Sequence, residues 1–239
     1  MNFIDLNCDL GENESAACRE ELMSLISSAN IACGGHAGSD ETMLHCAQLA
    51  AQYQVHAGAH PGLGENFGRD ACIISATELI TVIDEQIRRL LCHLTKEGVP
   101  LHHIKLHGAL YHATDNDESL STAFCQHVKN TFPGVIIYAR SGGLTAQVAH
   151  QLGVEVWEEC FLDRGYRADG SLITRGQPGD LLETKVAVEE RLAMITEQGM
   201  MLRCGEIVVA LACQTLCLHS DGAHALSFAQ IATQNKRSL

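Results

Sequence analysis

Several short segments of this chain carry the same kind of chemistry. They are Asn7-Cys8-Asp9-Leu10-Gly11-Glu12, Cys33-Gly34-Gly35-His36-Ala37-Gly38, Gly58-Ala59-His60-Pro61-Gly62, Lys105-Leu106-His107-Gly108, Glu158-Glu159-Cys160-Phe161-Leu162-Asp163-Arg164 and His219-Ser220-Asp221-Gly222. Carboxylates and imidazoles exchange protons or ligate metals, and lysine and arginine hold anions. Five of these six segments contain glycine, where backbone can approach a ligand closely. Asp9, His36, His60, His107 and His219 are ligand types for zinc, manganese or iron, with Asp9, His36 and His60 the leading candidates. No His-x-x-x-His or His-Glu-x-x-His spacing joins them, so the residues alone leave a bound metal open. His45, His93, His127 and His150 fall on expected helices and read as surface or packing residues.

Other chemistries lack their motifs. There is no Gly-x-x-x-x-Gly-Lys-[Ser/Thr] phosphate loop, no Gly-x-Gly-x-x-Gly after a strand and no Gly-x-Ser-x-Gly nucleophile elbow. Any ATP has to bind by another arrangement or reach the chemistry through a partner.

The elements that must position these groups alternate. Apolar runs at Phe3–Cys8, Asn30–Cys33, Val55–Ala59, His103–Leu106, Val135–Tyr138, Val154–Trp157 and Ile207–Leu211 read as strands, with Thr215–Leu218 extending the last unit or standing apart. Helical stretches separate them. One opens at Ser39, and another at the Ser75-Ala76-Thr77-Glu78 capping box, stopped by Gly98-Val99-Pro100. Further helices are expected over Asp180–Gln198 and Ala223–Thr233. This is the order of a parallel α/β fold, and seven or eight units favour a single-domain (β/α) barrel spanning 1–239. In such a barrel all carboxyl ends of the strands lie on one face, so the polar segments converge. Period-two alternation puts Asp5, Asn7 and Asp9 on one side of a strand, as it does His56, Gly58 and His60, and His103, Lys105 and His107. A buried network that only holds the barrel would explain one such residue, but a site explains the set.

The formal net charge of −13 repels a phosphate backbone and argues against nucleic-acid binding. The amino terminus lacks a signal-peptide pattern, and no apolar run is long enough to span a bilayer. A cytoplasmic protein with no membrane partner is expected. The 11 cysteines are an odd number without a Cys-x-x-Cys pair, and read as reduced and mostly structural.

The polar segments, together with Ser28-Ala29-Asn30-Ile31-Ala32-Cys33-Gly34, Phe67-Gly68-Arg69, Gly108-Ala109-Leu110-Tyr111, Asp163-Arg164-x-Tyr166 and Gly170-Ser171-Leu172-x-x-Arg175, resemble the LamB/YcsF family, in family order over nearly the whole chain. That resemblance implies a seven-stranded barrel related to polysaccharide-deacetylase-like barrels. It also implies the A-subunit role in an ATP-dependent 5-oxoprolinase, opening the lactam 5-oxo-L-proline to L-glutamate with B and C subunits while ATP, as its magnesium complex, becomes ADP and phosphate. On this reading the catalytic candidates are His60, His107 and His219 for acid–base work, with Asp9 or Asp221 orienting one of them. Asn7, Glu12, Asn30, His36, Arg69, Lys105, Asp163 and Arg164 are the candidates for substrate or phosphate binding. Departures from the family pattern, such as Gly35 before His36, Leu106 in place of a usual proline and Asp70 after Arg69, alter the pocket walls. A stand-alone metal-dependent deacetylase or amidohydrolase, and a non-catalytic small-molecule-binding protein with a regulatory role, are the alternatives. Apolar outer helix faces leave homo-oligomerisation or subunit docking open.

Overall fold

Polar side chains on alternate strand positions need a closed interior to share, and the fold provides one. In the computed structural model, which describes residues 4–64, 68, 72–196, 201–204 and 207–237, seven parallel strands form a closed barrel. They are β1 (Asp5–Leu10), β2 (Ser28–Ala32), β3 (His56–His60), β4 (Leu101–Ile104), β5 (Ile136–Arg140), β6 (Val156–Phe161) and β9 (Thr215–His219). The last strand closes the ring by pairing with both β1 and β6. Eight helices are described: α1 (Ala16–Met23), α2 (Asp40–Tyr53), α3 (Ala76–Lys96), α4 (Gly108–Asn116), α5 (Glu118–Thr131), α6 (Leu144–Leu152), α7 (Lys185–Thr196) and α8 (Ala225–Arg237). Of these α1 and α4 were not marked out by the pattern of residues, while α5 and α6 hold His127 and His150, which were expected on helices.

Local chemistry accounts for the helix ends. Ser39 caps α2 in a reciprocal box with Thr42, and Ser75 caps α3 with Glu78, each satisfying amide donors that a helix start leaves unpaired. Leu79, Ile83, Ile87, Leu90 and Leu94 form the buried stripe of α3. Gly98, at φ +67, follows its end.

Two expectations need correction. Ile207–Leu211 is not a barrel strand. Ile207–Ala210 forms β8, which pairs antiparallel with β7 (Met201–Cys204) in a separate two-stranded sheet, with Ile207 and Val208 exposed. The seventh barrel place goes to Thr215–His219, whose alternating Thr215 and Cys217 suit a polar interior. The helix expected from Asp180 begins only at Lys185. Residues 180–182 pair instead with 163–165: Gly165 donates to the Asp180 carbonyl and Leu182 to the Asp163 carbonyl.

The barrel interior is largely polar near its axis, while the apolar core lies between strands and helices. Asp5 accepts from Ser28 and Thr215, and Asn7 donates to Thr215 and Glu159, so β1, β2, β6 and β9 present these side chains to one another. Gly58 faces the His103 ring so closely that a Cβ there would collide with it. At the amino-terminal end of the strands His102 stacks on the exposed His56, with ring centroids 4.0 Å apart. His56 therefore does not share the interior with His60.

Candidate active site at the carboxyl end of the barrel

One lysine organises the centre. The Lys105 ammonium lies 2.8 Å from Asp9 Oδ1, 3.1 Å from Glu159 Oε1 and 2.9 Å from Cys217 Sγ, all buried. Burial would pull the lysine pKa down, but the carboxylates of Asp9 and Glu159 outweigh it and hold the ammonium well above its ordinary value. Asp9 responds in the opposite sense. Burial pushes its carboxyl up, and the charges of His60 and Lys105 override that and keep it well below the usual carboxylate range. Asn30 donates to Asp9 Oδ1 at 2.6 Å and to Asn7 Oδ1 at 2.6 Å, and Tyr111 donates to Glu159 Oε2 at 3.0 Å.

Around Asp9 stand two sets of imidazoles. On one side His219 Nε2 lies 3.9 Å from Asp9 Oδ2, and its Nδ1 lies 3.0 Å from both carboxylate oxygens of Asp163. The backbone amide of His219 also donates to Asp163. Burial raises the Asp163 pKa, and the adjacent His219 brings it below the ordinary value. On the other side His60 Nε2 lies 3.4 Å from Asp9 Oδ2 and 2.9 Å from His107 Nδ1. His107 stacks flat on His36 with centroids 3.5 Å apart, and His36 Nε2 lies 2.9 Å from Glu12 Oε1. Glu12, His36, His60 and His107 together, and Asp9, Cys217 and His219 together, are groups with the atoms to hold a metal ion.

The fold thus brings Asn7, Asp9, Glu12, Asn30, His36, His60, Lys105, His107, Asp163 and His219 to one place. It does not bring Arg164 or Asp221 there in the expected roles. Arg164 donates to the carbonyls of Asp180 and Ile173, so its guanidinium braces the 163–182 segment and is not presented to an anion. Asp163 orients His219, while exposed Asp221 lies 3.7 Å from Arg175. Lys105, Asn7 and Asn30, expected to bind substrate, have polar atoms engaged in the internal network. Arg69 lies outside the described residues. Glu159, Tyr111 and Cys217 are site residues that the sequence reading missed. Strand phase could have found Glu159, two positions after Trp157, and helical spacing could have found Tyr111, one turn after His107.

The LamB/YcsF family profile matches residues 4–238.

The chain belongs to the LamB/YcsF family.

Among the relatives of this LamB/YcsF chain, the 5-oxoprolinase A subunit of Tolumonas auensis is 40% identical over 235 residues, covering 96% of this chain and 93% of the relative. The 5-oxoprolinase A subunit of Bacillus subtilis is 39% identical over 236 residues, covering 96% and 91%. The solved structure of the lactam utilization protein from Thermus thermophilus superposes with a TM-score of 0.89 at 32% identity, covering 100% of this chain and 97% of that one. A structure described as a putative cellobiose-phosphate cleavage protein from Enterococcus faecalis shares the fold, with a TM-score of 0.60 at 12% identity over 100% and 94% of the two chains. No helix among the described residues is long and apolar enough to cross a membrane.

Proposed function

We propose that this chain opens the lactam of 5-oxo-L-proline to L-glutamate as the A subunit of an ATP-dependent 5-oxoprolinase, working in the cytoplasm with B and C subunits. The relatives supply the activity by name. The observation in this chain that carries the reading is the Asp163–His219–Asp9 arrangement. Asp163 accepts from His219 Nδ1, which turns Nε2 toward Asp9 as the nitrogen placed to exchange a proton.

A five-membered lactam is a stable amide, and ATP supplies phosphoryl activation of its oxygen. The barrel mouth is a poor nucleotide site by itself. Among the described residues Lys105 is committed to Asp9 and Glu159, and Arg175 faces Asp221. Magnesium carried by the ATP and the partner subunits would therefore meet most of the phosphate charge. This chain's own residues handle water and protons. His219 Nε2 takes a proton from the water that adds to the lactam carbon, and the imidazolium so formed is stabilised by Asp163 and Asp9. As the carbon–nitrogen bond breaks, the same imidazolium returns its proton to the departing ring nitrogen, leaving a γ-acyl phosphate that a second water cleaves to glutamate and inorganic phosphate.

The test is glutamate formation from 5-oxoproline with ATP and magnesium, by the chain alone, by the chain with B and C subunits, and by B and C without it. Turnover only in the complete mixture is expected. No turnover from a verified complex overturns the assignment.

A further inference from the structure

The wall of the site that holds Glu12, His36, His60 and His107 has no part in that proton transfer. Glu12 follows β1, His36 follows β2, His60 ends β3 and His107 precedes α4, so four separate segments each deliver one donor atom. The side chains of Glu12, His36, His60 and His107 are almost wholly buried. We propose that these four residues bind one divalent cation of the zinc class.

Geometry carries the assignment. Four ligands about 2.0–2.1 Å from a tetrahedral zinc lie about 3.3 Å from one another. The distances found are 2.9 Å for Glu12–His36, 3.4 Å for Glu12–His107, 3.9 Å for Glu12–His60 and 2.9 Å for His60–His107. They scatter about that edge length, and all four donor atoms fall within 4.8 Å of one another. Donor chemistry agrees. His60 Nδ1 lies 2.8 Å from the Lys105 carbonyl, which can only accept, so Nδ1 donates there and Nε2 is the nitrogen turned toward the other donor atoms. Such a carbonyl contact is the usual support of a ligating histidine.

The other group of ligand types provides a contrast. Asp9 and Cys217 already share the Lys105 ammonium, at 2.8 and 2.9 Å, so that position is filled by a cation of the protein itself. The backbone is shaped around the quartet as well. A Cβ on Gly62 would lie 2.5 Å from His36 Nδ1 and 3.0 Å from His107 Cβ. The glycines noticed in the sequence beside these histidines therefore admit imidazoles. The site assigns His60 and His107 to ligation, with His219 left to move protons.

Metal uptake is read without turnover, so the assignment stands or falls separately from the lactam reading. The full chain, stripped with chelator and dialysed, is titrated calorimetrically with zinc chloride, and with cobalt(II) followed by visible absorption. One ion per chain, the intense visible bands of tetrahedral cobalt and a higher Tm with zinc are expected. Glu12→Gln and His107→Asn, checked by circular dichroism, should each weaken binding more than about tenfold, while His150→Gln, on the exposed face of α6, should not. If either site variant fails to fold, the wild-type stoichiometry and cobalt spectrum still decide. Sub-stoichiometric zinc, an octahedral cobalt spectrum, an unchanged Tm, or full-strength binding by a folded Glu12→Gln chain would each overturn the site. In those cases the cluster is a proton-sharing network.

Discussion

Lys105 Nζ and Asp9 Oδ1 lie 2.8 Å apart at the centre of the barrel, with both side chains almost completely removed from water. Two buried opposite charges stabilise a fold less than their attraction suggests, because each has lost its hydration. Removing one alone leaves the other stranded. Lys105→Met is therefore expected to destabilise the protein by about 3–5 kcal/mol, with Asp9 and Glu159 left facing each other. Urea unfolding checks this, and a loss under about 1 kcal/mol would show that water or a proton relieves the stranded carboxylates.

Asp163 fixes the tautomer of His219 through its contact with Nδ1. Asparagine can present an amide donor there and favour the wrong tautomer. Asp163→Asn is expected to lower kcat of the assembled enzyme by on the order of 100-fold or more with a small change in KM, and to leave stability nearly intact. An unchanged kcat would remove His219 from the proton path.

The far end of the barrel predicts how stability depends on pH. Burial and the neighbouring His56 push His102 down to about 4, and burial with the surrounding positive charge pushes His103 well below the ordinary 6.5. A buried histidine with a depressed pKa stays neutral while the unfolded chain takes up a proton. This contribution to stability is therefore complete above pH about 6.5 and is lost as pH falls toward the folded values. Between pH 6.5 and 5, His103→Gln should flatten the fall in unfolding free energy by up to about 1.4 kcal/mol per pH unit. Parallel curves for the two proteins would contradict it.

Gly62 packs against His36 and His107. Gly62→Ala is expected to push the stacked rings apart and cost roughly 1–3 kcal/mol of stability. A melting curve equal to wild type would mean the loop yields freely at this point.

How legible the protein was in its residues depended on which physical pattern marked each part. Glycines and titratable side chains punctuate strand ends, so the face bearing Asp9, His36, His60, Lys105, His107 and His219 could be read directly. Apolar runs were less faithful guides. Ile207-Val208-Val209-Ala210 has the composition of a buried strand yet lies outside the barrel, while Thr215–His219 closes it with a polar inner edge. Burial of a parallel strand by helices predicts a continuous apolar run, and that rule weakens where the interior is itself a hydrogen-bonded network. Glu158 and Glu159 show the limit at single-residue scale. Glu158 turns outward to Ser141 and His150, and Glu159 turns inward to Lys105 and Tyr111. Adjacent identical carboxylates differ only in strand phase, which a boundary error of one residue reverses.

The closing strand also constrains how the molecule comes into being. Asp5 on β1 pairs with Thr215 on β9, and that same Thr215 pairs with Glu159 on β6. During synthesis six strands leave the ribosome with two unsatisfied edges, and the segment that seals them arrives after α7 and the β7–β8 sheet. Asp9 and Glu159 wait throughout without Cys217 and His219 beside them. The nascent protein must therefore hold an open, sticky sheet until Thr215–His219 has been made, which places the aggregation risk in the interval before the closing strand emerges.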